Sequence, residues 1–457
     1  MTDTVYDMVI LGAGSGGYAA ALRGAQLGLR VALIEADKIG GTCLHRGCVP
    51  TKAILHSAET AEAVREAASV GVNAVFQGLD MPAVQKYKNG VVSRMHKGLE
   101  GLVASRGIEV VRGWGRLVAK DTVEVNGRRY RGRNIVLASG SFSKTIGQEI
   151  SGPVMTSDQA LELNRVPSSA VILGGGVIGV EFASAWASMG SRVTIIEGLP
   201  RLVPNEDEAV SKQLERAFRK RKIAFKTNTM FESVERTATG VTVRTADSKA
   251  YDAEVLLIAV GRGPATANLG YEEAGVAMDR GFVLADDYGR TNVDGVWAVG
   301  DIVPGVQLAH RGFAQGIVVA EKIAGLDPRP VDDTLVPKVT FCEPEIASVG
   351  LSEAQAIEIH GAEKVTTAEF NVAGNAKSQI LGTQGFVKLV SLKDGPVVGF
   401  HAIGTRMGEQ IGEGQLIVSW EADAHDVASL VHAHPTQNET IGEAAMALAG
   451  KPLHNHG

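Results

Sequence analysis

Two cysteines stand five residues apart in Gly40-Gly41-Thr42-Cys43-Leu44-His45-Arg46-Gly47-Cys48-Val49-Pro50-Thr51-Lys52. Such a pair is a redox couple, two inert thiols, or half of a metal site. Five residues of regular helix rise about 7.5 Å, too far for an unstrained disulfide. If the sulfurs bond, the segment must be a distorted turn, and Gly47 supplies the freedom. Pro50 suits the first turn of a helix running through Ala53 to Ala68. Cys48 then lies near that helix's N-terminus, where a thiolate is stabilised, and Lys52 adds a positive charge one turn on. A zinc site would need two further ligands, and no neighbouring cysteine pair supplies them, so no metal is expected. Cys342, in Thr340-Phe341-Cys342-Glu343-Pro344-Glu345, reads as an inert core or edge cysteine.

The redox reading is favoured because of what precedes the pair. Val9-Ile10-Leu11 reads as a buried strand, and Gly12-Ala13-Gly14-Ser15-Gly16-Gly17 opens a small-residue helix. A second strand, from Arg30 to Ile34, ends in Glu35. The unit recurs: Val171-Ile172-Leu173 leads into Gly174-Gly175-Gly176-Val177-Ile178-Gly179, and a strand from Arg192 to Ile196 ends in Glu197. Gly12 and Gly174, Gly17 and Gly179, Gly28 and Gly190, and Glu35 and Glu197 are each 162 positions apart. One glycine-rich turn is weak evidence; two in full strand-turn-helix-strand context are strong. The first glycine (Gly12, Gly174) permits the tight turn, and the second (Gly14, Gly176) lets backbone approach a pyrophosphate. The third (Gly17, Gly179) lets helix pack on strand. The pyrophosphate sits at the helix N-terminus, and the terminal carboxylate accepts from a ribose diol. Two dinucleotides are implied.

Three apolar strands close on a shared pattern: Ala138-Ser139-Gly140-Ser141, Ala259-Val260-Gly261-Arg262 and Ala298-Val299-Gly300-Asp301. Glycine there lets backbone pass close to a bound cofactor or makes an ordinary turn. After about residue 336 the pattern changes to short strands and two amphipathic segments without a third nucleotide motif, as expected of a separate α+β domain.

Composition bounds the rest. A chain of 457 residues suggests about three domains. Its 45% hydrophobic and 21% charged residues are those of a globular protein, and 55 glycines exceed the usual share. A net charge of −6 and only 5% aromatic residues argue against nucleic acid as a partner. No apolar run reaches the length of a membrane helix, so no membrane partner is expected. The start Met1-Thr2-Asp3-Thr4-Val5-Tyr6-Asp7 has no basic region of the kind a signal peptide carries. Three cysteines make no disulfide framework, and a cytoplasmic address is expected.

At this point the sequence resembles the pyridine nucleotide–disulfide oxidoreductases, and within them the dihydrolipoamide dehydrogenase branch. The likeness runs from about residue 5 to about residue 447. It rests on the Gly40-to-Lys52 stretch, Thr291-Asn292-Val293-Asp294-Gly295-Val296-Trp297-Ala298-Val299-Gly300-Asp301, Leu308-Ala309-His310, and His434-Pro435-Thr436-Gln437-Asn438-Glu439. The resemblance implies an α/β fold: two Rossmann-like domains, for FAD (1–148 and 269–335) and NAD (149–268), and an α+β dimerisation domain over 336–457. It implies that Glu35 meets the adenosine ribose of FAD and Asp301 the ribityl chain. Lys52, paired with Glu181, would lie beside the isoalloxazine, and Gly115 would meet the adenine. Ala309 and His310 would approach the flavin pyrimidine, and Ser139, Gly140, Ser141 and Gly261 would line the cofactors. Glu197 implies NAD, because a carboxylate repels a 2′-phosphate; Arg192 and Arg201 are the residues that would favour NADP instead.

His434 and Glu439 look like the family's acid/base pair. Taken alone, His-Pro-Thr reads as a solvated loop, and the resemblance reverses that. His425, His432, His454 and His456 lack such support and are expected in solvent. The implied activity is oxidation of protein-bound dihydrolipoamide by NAD through the Cys43–Cys48 disulfide, in a homodimer. The lipoyl group would arrive on acyltransferase subunits of 2-oxo acid dehydrogenase complexes or on the glycine cleavage carrier. The rivals are a reductase of a small disulfide, of the mycothiol or glutathione type, and a flavin-binding structural subunit without turnover. Two departures from the family pattern stand out. His45-Arg46 replaces the frequent Asn-Val and is expected to add charge at the redox pair, and Gly263 replaces a basic residue. The tail lacks the terminal cysteine motifs of mercuric and large thioredoxin reductases.

Overall fold

A computed structural model describes residues 5–455. Its first sheet is built on Val5–Leu11, which pairs in parallel with Val31–Glu35 on one side and Arg128–Leu137 on the other. Glu109–Arg112 extends the parallel edge. The hairpin strands Gly115–Ala119 and Thr122–Val125 return antiparallel against Arg128–Leu137. Val296–Ala298, arriving from far along the chain, also pairs in parallel with that strand. The second sheet is parallel throughout, in the order Ala224–Lys226, Arg192–Ile196, Ser169–Leu173, Val255–Ile258, Val154–Met155. Its strand Val255–Ile258 is buried at every position, as a strand covered on both faces must be.

The second sheet is therefore inserted into the chain of the first. Two short strands mark the crossings: Ser141–Ser143 leaves and Arg262–Pro264 returns, paired antiparallel. The C-terminal part is built on an antiparallel sheet, Lys338–Thr340, Glu345–Gly350, Val397–Gly404, Phe386–Leu392, Val365–Asn371, with helices Met407–Ser419 and Glu439–Leu448 against it. This domain docks on the second sheet's unit through buried charge. Lys388 Nζ reaches Asp207 at 2.9 Å and Glu353 at 2.7 Å, and the Ser348 hydroxyl donates to Glu206 at 2.6 Å.

Boundaries differ from the sequence reading in small ways. The first strand begins at Val5 rather than Val9, and its partner begins at Val31 rather than Arg30. The helix expected through Ala53 to Ala68 begins at Cys48 and ends at Glu66, and its last turn tightens to a 3-10 turn at Ala67–Val70. Met1–Thr4 and His456 lie outside the described residues. No described helix is long and apolar enough to cross a membrane.

Candidate active site

The cysteine segment is two helices, Gly41–Arg46 and Cys48–Glu66, broken at Gly47 (φ −142°, ψ −112°). The break is the distortion that the five-residue spacing demands. Cys43 sits on the first helix and Cys48 opens the second, where free amides favour negative charge. Both cysteines are free, and their side chains share a hydrogen bond. That bond, together with the Lys52 charge, brings Cys48 down to about 7 against partial desolvation by the surrounding cleft wall. Cys43, which would give up the shared proton, is pushed well up. The helix N-terminus and the Lys52 charge both favour the thiolate on Cys48.

Lys52 Nζ lies 2.9 Å from both carboxylate oxygens of Glu181, which is 3% exposed on the helix Val177–Met189. Sequence reasoning missed the third member. Phe341, from the C-terminal domain, donates its amide to Glu181 at 2.9 Å and places its ring 4.7 Å from the lysine amine. Contacts to a ring face favour a cation.

The two glycine loops share the same local geometry. Gly12 and Gly174 have φ of 105° and 101°, and a Cβ on either would lie 2.3 or 2.4 Å from a carbonyl of the adjacent strand. A Cβ on Gly17 or Gly179 would lie 1.8 or 1.9 Å from the loop's own first carbonyl. Only glycine fits. The helices Ser15–Gln26 and Val177–Met189 both start without a side-chain cap, leaving amides for an anion. Glu35 accepts from Ala13 N and Asp37 N, both at 2.8 Å; Glu197 accepts from Gly175 N at 2.5 Å and Leu199 N at 2.7 Å. Each carboxylate therefore braces its own glycine loop, a role the spacing did not reveal.

A single cleft of about 2320 Å³ joins these parts. Gly14, Gly140, Gly174, Gly176 and Gly261 line it, as do Cys43, Cys48, Lys52, Glu181 and Glu197. So do Ser141, Asp301, Ala309 and His310. Ser141 donates to Asp301 at 2.5 Å and accepts from Arg262 at 2.7 Å, so a crossing strand fixes the acid. Tyr271 donates to Ser139 at 3.0 Å behind the wall. Ala309 begins the helix Ala309–Ile323, and His310 Nε2 is 2.7 Å from Pro337 O. Gly115 starts its strand behind the cleft, against Leu11 and Ile34.

The cleft residues do not include His434 or Glu439. His434, 71% exposed, holds Glu439 at 2.8 Å through Nδ1, and Thr436 N donates to the other carboxylate oxygen at 2.8 Å. Burial works against Glu439's charge, but these bonds win and keep its carboxyl below the ordinary value.

Two expectations change. His432 is not solvated: its side chain is 12% exposed and its Nε2 is 2.7 Å from Glu413. His425 and His454 are exposed, as expected, although His454 also meets Glu443 at 2.7 Å. His45 and Arg46 add little free charge at the sulfurs. Arg46 pairs with Asp37, and burial lowers the pKa of His45, whose Nε2 is 2.9 Å from Ile39 O. Gly263 leaves room for the Phe142 ring, 2.8 Å from where a Cβ would stand. Cys342 is buried, its sulfur 3.2 Å from Pro344 O, and burial pushes its thiol up.

Comparison with known proteins places this geometry. Residues 6–316 match the family "Pyridine nucleotide-disulphide oxidoreductase", and residues 336–445 match that family's dimerisation domain. The chain is 37% identical to a dihydrolipoyl dehydrogenase of Bacillus subtilis, over 99% of each sequence. It is 37% identical to that of Geobacillus stearothermophilus, over 98% of this chain and 97% of the relative. The crystal structure of LpdA from Mycobacterium tuberculosis superposes with a TM-score of 0.90 at 26% identity, covering 96% of this chain and 99% of that one.

Proposed function

The chain belongs to the pyridine nucleotide–disulphide oxidoreductase family, and we propose that it oxidises protein-bound dihydrolipoamide with NAD. The observation that carries the reading is the polarised Cys43–Cys48 pair on a helix N-terminus, one turn from Lys52–Glu181, in a cleft shared by both glycine loops. A scaffold protein has no use for that set. The uncapped helix starts and glycine cradles fit the pyrophosphates of FAD and NAD, with Gly12, Gly14, Gly17, Glu35, Asp301, Ala309 and His310 on the flavin side. Gly174, Gly176, Gly179 and Glu197 hold NAD. Bound FAD supplies the relay that carries the electron pair from the dithiol to NAD.

The chain's own residues handle sulfur and protons. His434 of a second copy takes the proton from one substrate thiol, and Glu439 holds the imidazolium. The substrate thiolate attacks Cys43 of the oxidised pair, the Cys43–Cys48 bond breaks, and Cys48 leaves as the thiolate. The second substrate thiol attacks the first substrate sulfur and passes its proton to the departing Cys43 sulfur; the mixed disulfide breaks and Cys43 is released as the thiol. One dithiol has become one disulfide, and the two electrons sit on Cys43 and Cys48. Lys52 stabilises the Cys48 anion, and its ion pair with Glu181 and the Phe341 ring fix its position.

The C-terminal domain, with its exposed His434, supports a homodimer with shared sites. The lipoyl group comes on a partner, an acyltransferase subunit of a 2-oxo acid dehydrogenase complex or the glycine cleavage carrier, in the cytoplasm. Steady-state kinetics with lipoamide, glutathione disulfide and mycothiol disulfide, each with NADH and NADPH, test the proposal. Lipoamide with NADH should be the best pair by far, and Cys43→Ser or Cys48→Ser should abolish turnover while FAD stays bound. A preference for a small disulfide would give the site to that chemistry instead.

A further inference from the structure

Behind the exposed His434–Glu439 pair lies a second histidine–carboxylate pair. His432 Nε2 meets Glu413 Oε1 at 2.7 Å, and the other Glu413 oxygen accepts from Asn438 Nδ2 at 2.7 Å. Asn438 immediately precedes Glu439, so the two carboxylates are tied through adjacent residues. The His432 ring lies on the helix Glu439–Leu448 where Gly442 leaves space; a Cβ there would stand 2.6 Å from Nδ1. The two bonds to Glu413 tie the His-x-His loop and the start of the last helix to the helix Met407–Ser419, and Gly442 seats the ring on the last helix.

We propose that His432 and Glu413 form a positioning pair whose matched charges set the working pH range of the His434–Glu439 base. The proposal rests on the reading of His434 as the substrate's base. Among the described residues, the titratable groups acting on His432 are Glu413 from the helix Met407–Ser419 and Glu439 at the start of the last helix; the Leu430 backbone adds a hydrogen bond. The Glu413 bond raises the His432 pKa, and the two bonds into Glu413 hold its carboxyl low despite burial. Both shifts bias the pair toward cation and anion, so that little net charge is presented to its neighbour. Glu439 feels the His432 cation directly, which helps to keep it ionised.

Breaking the match on one side must show as a pH shift. In His432→Gln the amide still donates to Glu413, but the carboxylate is uncompensated and favours a protonated His434. The acidic limb of the kcat–pH profile for dihydrolipoamide oxidation should move up by about half a unit or more. That is about a threefold loss of kcat on the limb, with the alkaline plateau little changed. Glu413→Gln removes the anion and should not move the limb upward. The double variant, again without net charge, should return the midpoint close to wild type. Thermal midpoints of the three holoenzymes check folding. A purely architectural role predicts lower kcat at every pH, a fixed midpoint, and a double variant at least as impaired as either single one; that result overturns the proposal. If wild type turns over lipoamide and the midpoint stays in His432→Gln, only the positioning role falls. If wild type does not turn over lipoamide, the base assignment falls and the pair's role with it.

Discussion

Replacing Lys52 by methionine should raise the pH at which the Cys48 thiolate forms. Lys52 lies one helical turn past Cys48 on the same face, and a charge separation of roughly 6 Å, the spacing of such neighbours, sets the scale. A unit charge at that distance, at an effective dielectric constant near 20, is worth about 2.8 kcal/mol, or about 2 pK units. Cys48 is exposed at the cleft wall, so solvent and salt reduce the effect to about one unit. From about 7, the midpoint should rise to about 8. Glu181→Gln should act in the opposite sense, by a few tenths, because that carboxylate's charge pushes Cys48 up. The assay is anaerobic reduction with excess dihydrolipoamide, followed by a pH titration of the long-wavelength thiolate–flavin absorbance. Iodoacetamide alkylation rates give a second readout. Lys52→Met alone leaves Glu181 buried and unpaired, a cost of about 3–5 kcal/mol unless it takes up a proton. The Lys52→Met/Glu181→Gln double variant removes that complication and should still titrate above wild type. A midpoint that stays within about 0.3 unit in both Lys52 variants would refute the electrostatic account.

Mixing Cys48→Ser with His434→Ala chains, each inactive alone, should give heterodimers with about half of wild-type activity, because one of two shared sites is then intact. No recovery in verified heterodimers would mean that each chain builds its own site. NADH should outperform NADPH by at least about tenfold, since a 2′-phosphate beside Glu197 costs more than about 1.4 kcal/mol in a partly desolvated site; equal kcat/KM would point to Arg201 or Arg192 as a phosphate partner. Burial raises Glu345 from 4.5 to about 7, so the folded state holds that proton more tightly than the unfolded chain. Its contribution to stability is greatest below pH 4.5 and is lost as pH rises through 7. Glu345→Gln should therefore raise the thermal midpoint at pH 8, by the equivalent of about 1–2 kcal/mol, and leave it unchanged at pH 4; equal gains at both pH values would refute the titration.

The parts of this molecule that were legible in the sequence are those governed by short-range rules. Strand-glycine-helix units declare themselves because steric limits at Gly12 and Gly174 allow no substitute and the 162-residue offset repeats the limit. The break at Gly47 follows from a distance that a helix cannot close. What escaped notice depends on partners far apart in sequence. His432 read as a solvated loop residue because Glu413 is on another helix, with no recognisable spacing between them; Gly442, on the helix beside Glu439, was the one local clue. Phe341 gave no signal at all, since its amide and ring reach Lys52 and Glu181 only once the C-terminal domain has docked. Counting charges also misled. His45-Arg46 reads as added positive charge, yet Asp37 pairs with the arginine and burial disfavours the imidazolium.

Lys52 shows why three domains are needed for one thiol pair. Its own helix belongs to the first glycine-loop unit, Glu181 to the helix that follows the second glycine loop, and Phe341 to the C-terminal domain. A cation held from only one side could turn away into the cleft. Held by a buried carboxylate and a ring face, it stays one turn from Cys48, where its charge favours the thiolate. The grip also couples architecture to chemistry: a shift of either neighbouring domain loosens the lysine and raises the thiol toward its ordinary value. Substitutions at the domain junction, such as Lys388→Met in the buried Asp207 network, should therefore be read in the Cys48 titration as well as in stability. A change in stability alone, with the titration fixed, would show that the grip on Lys52 survives domain loosening.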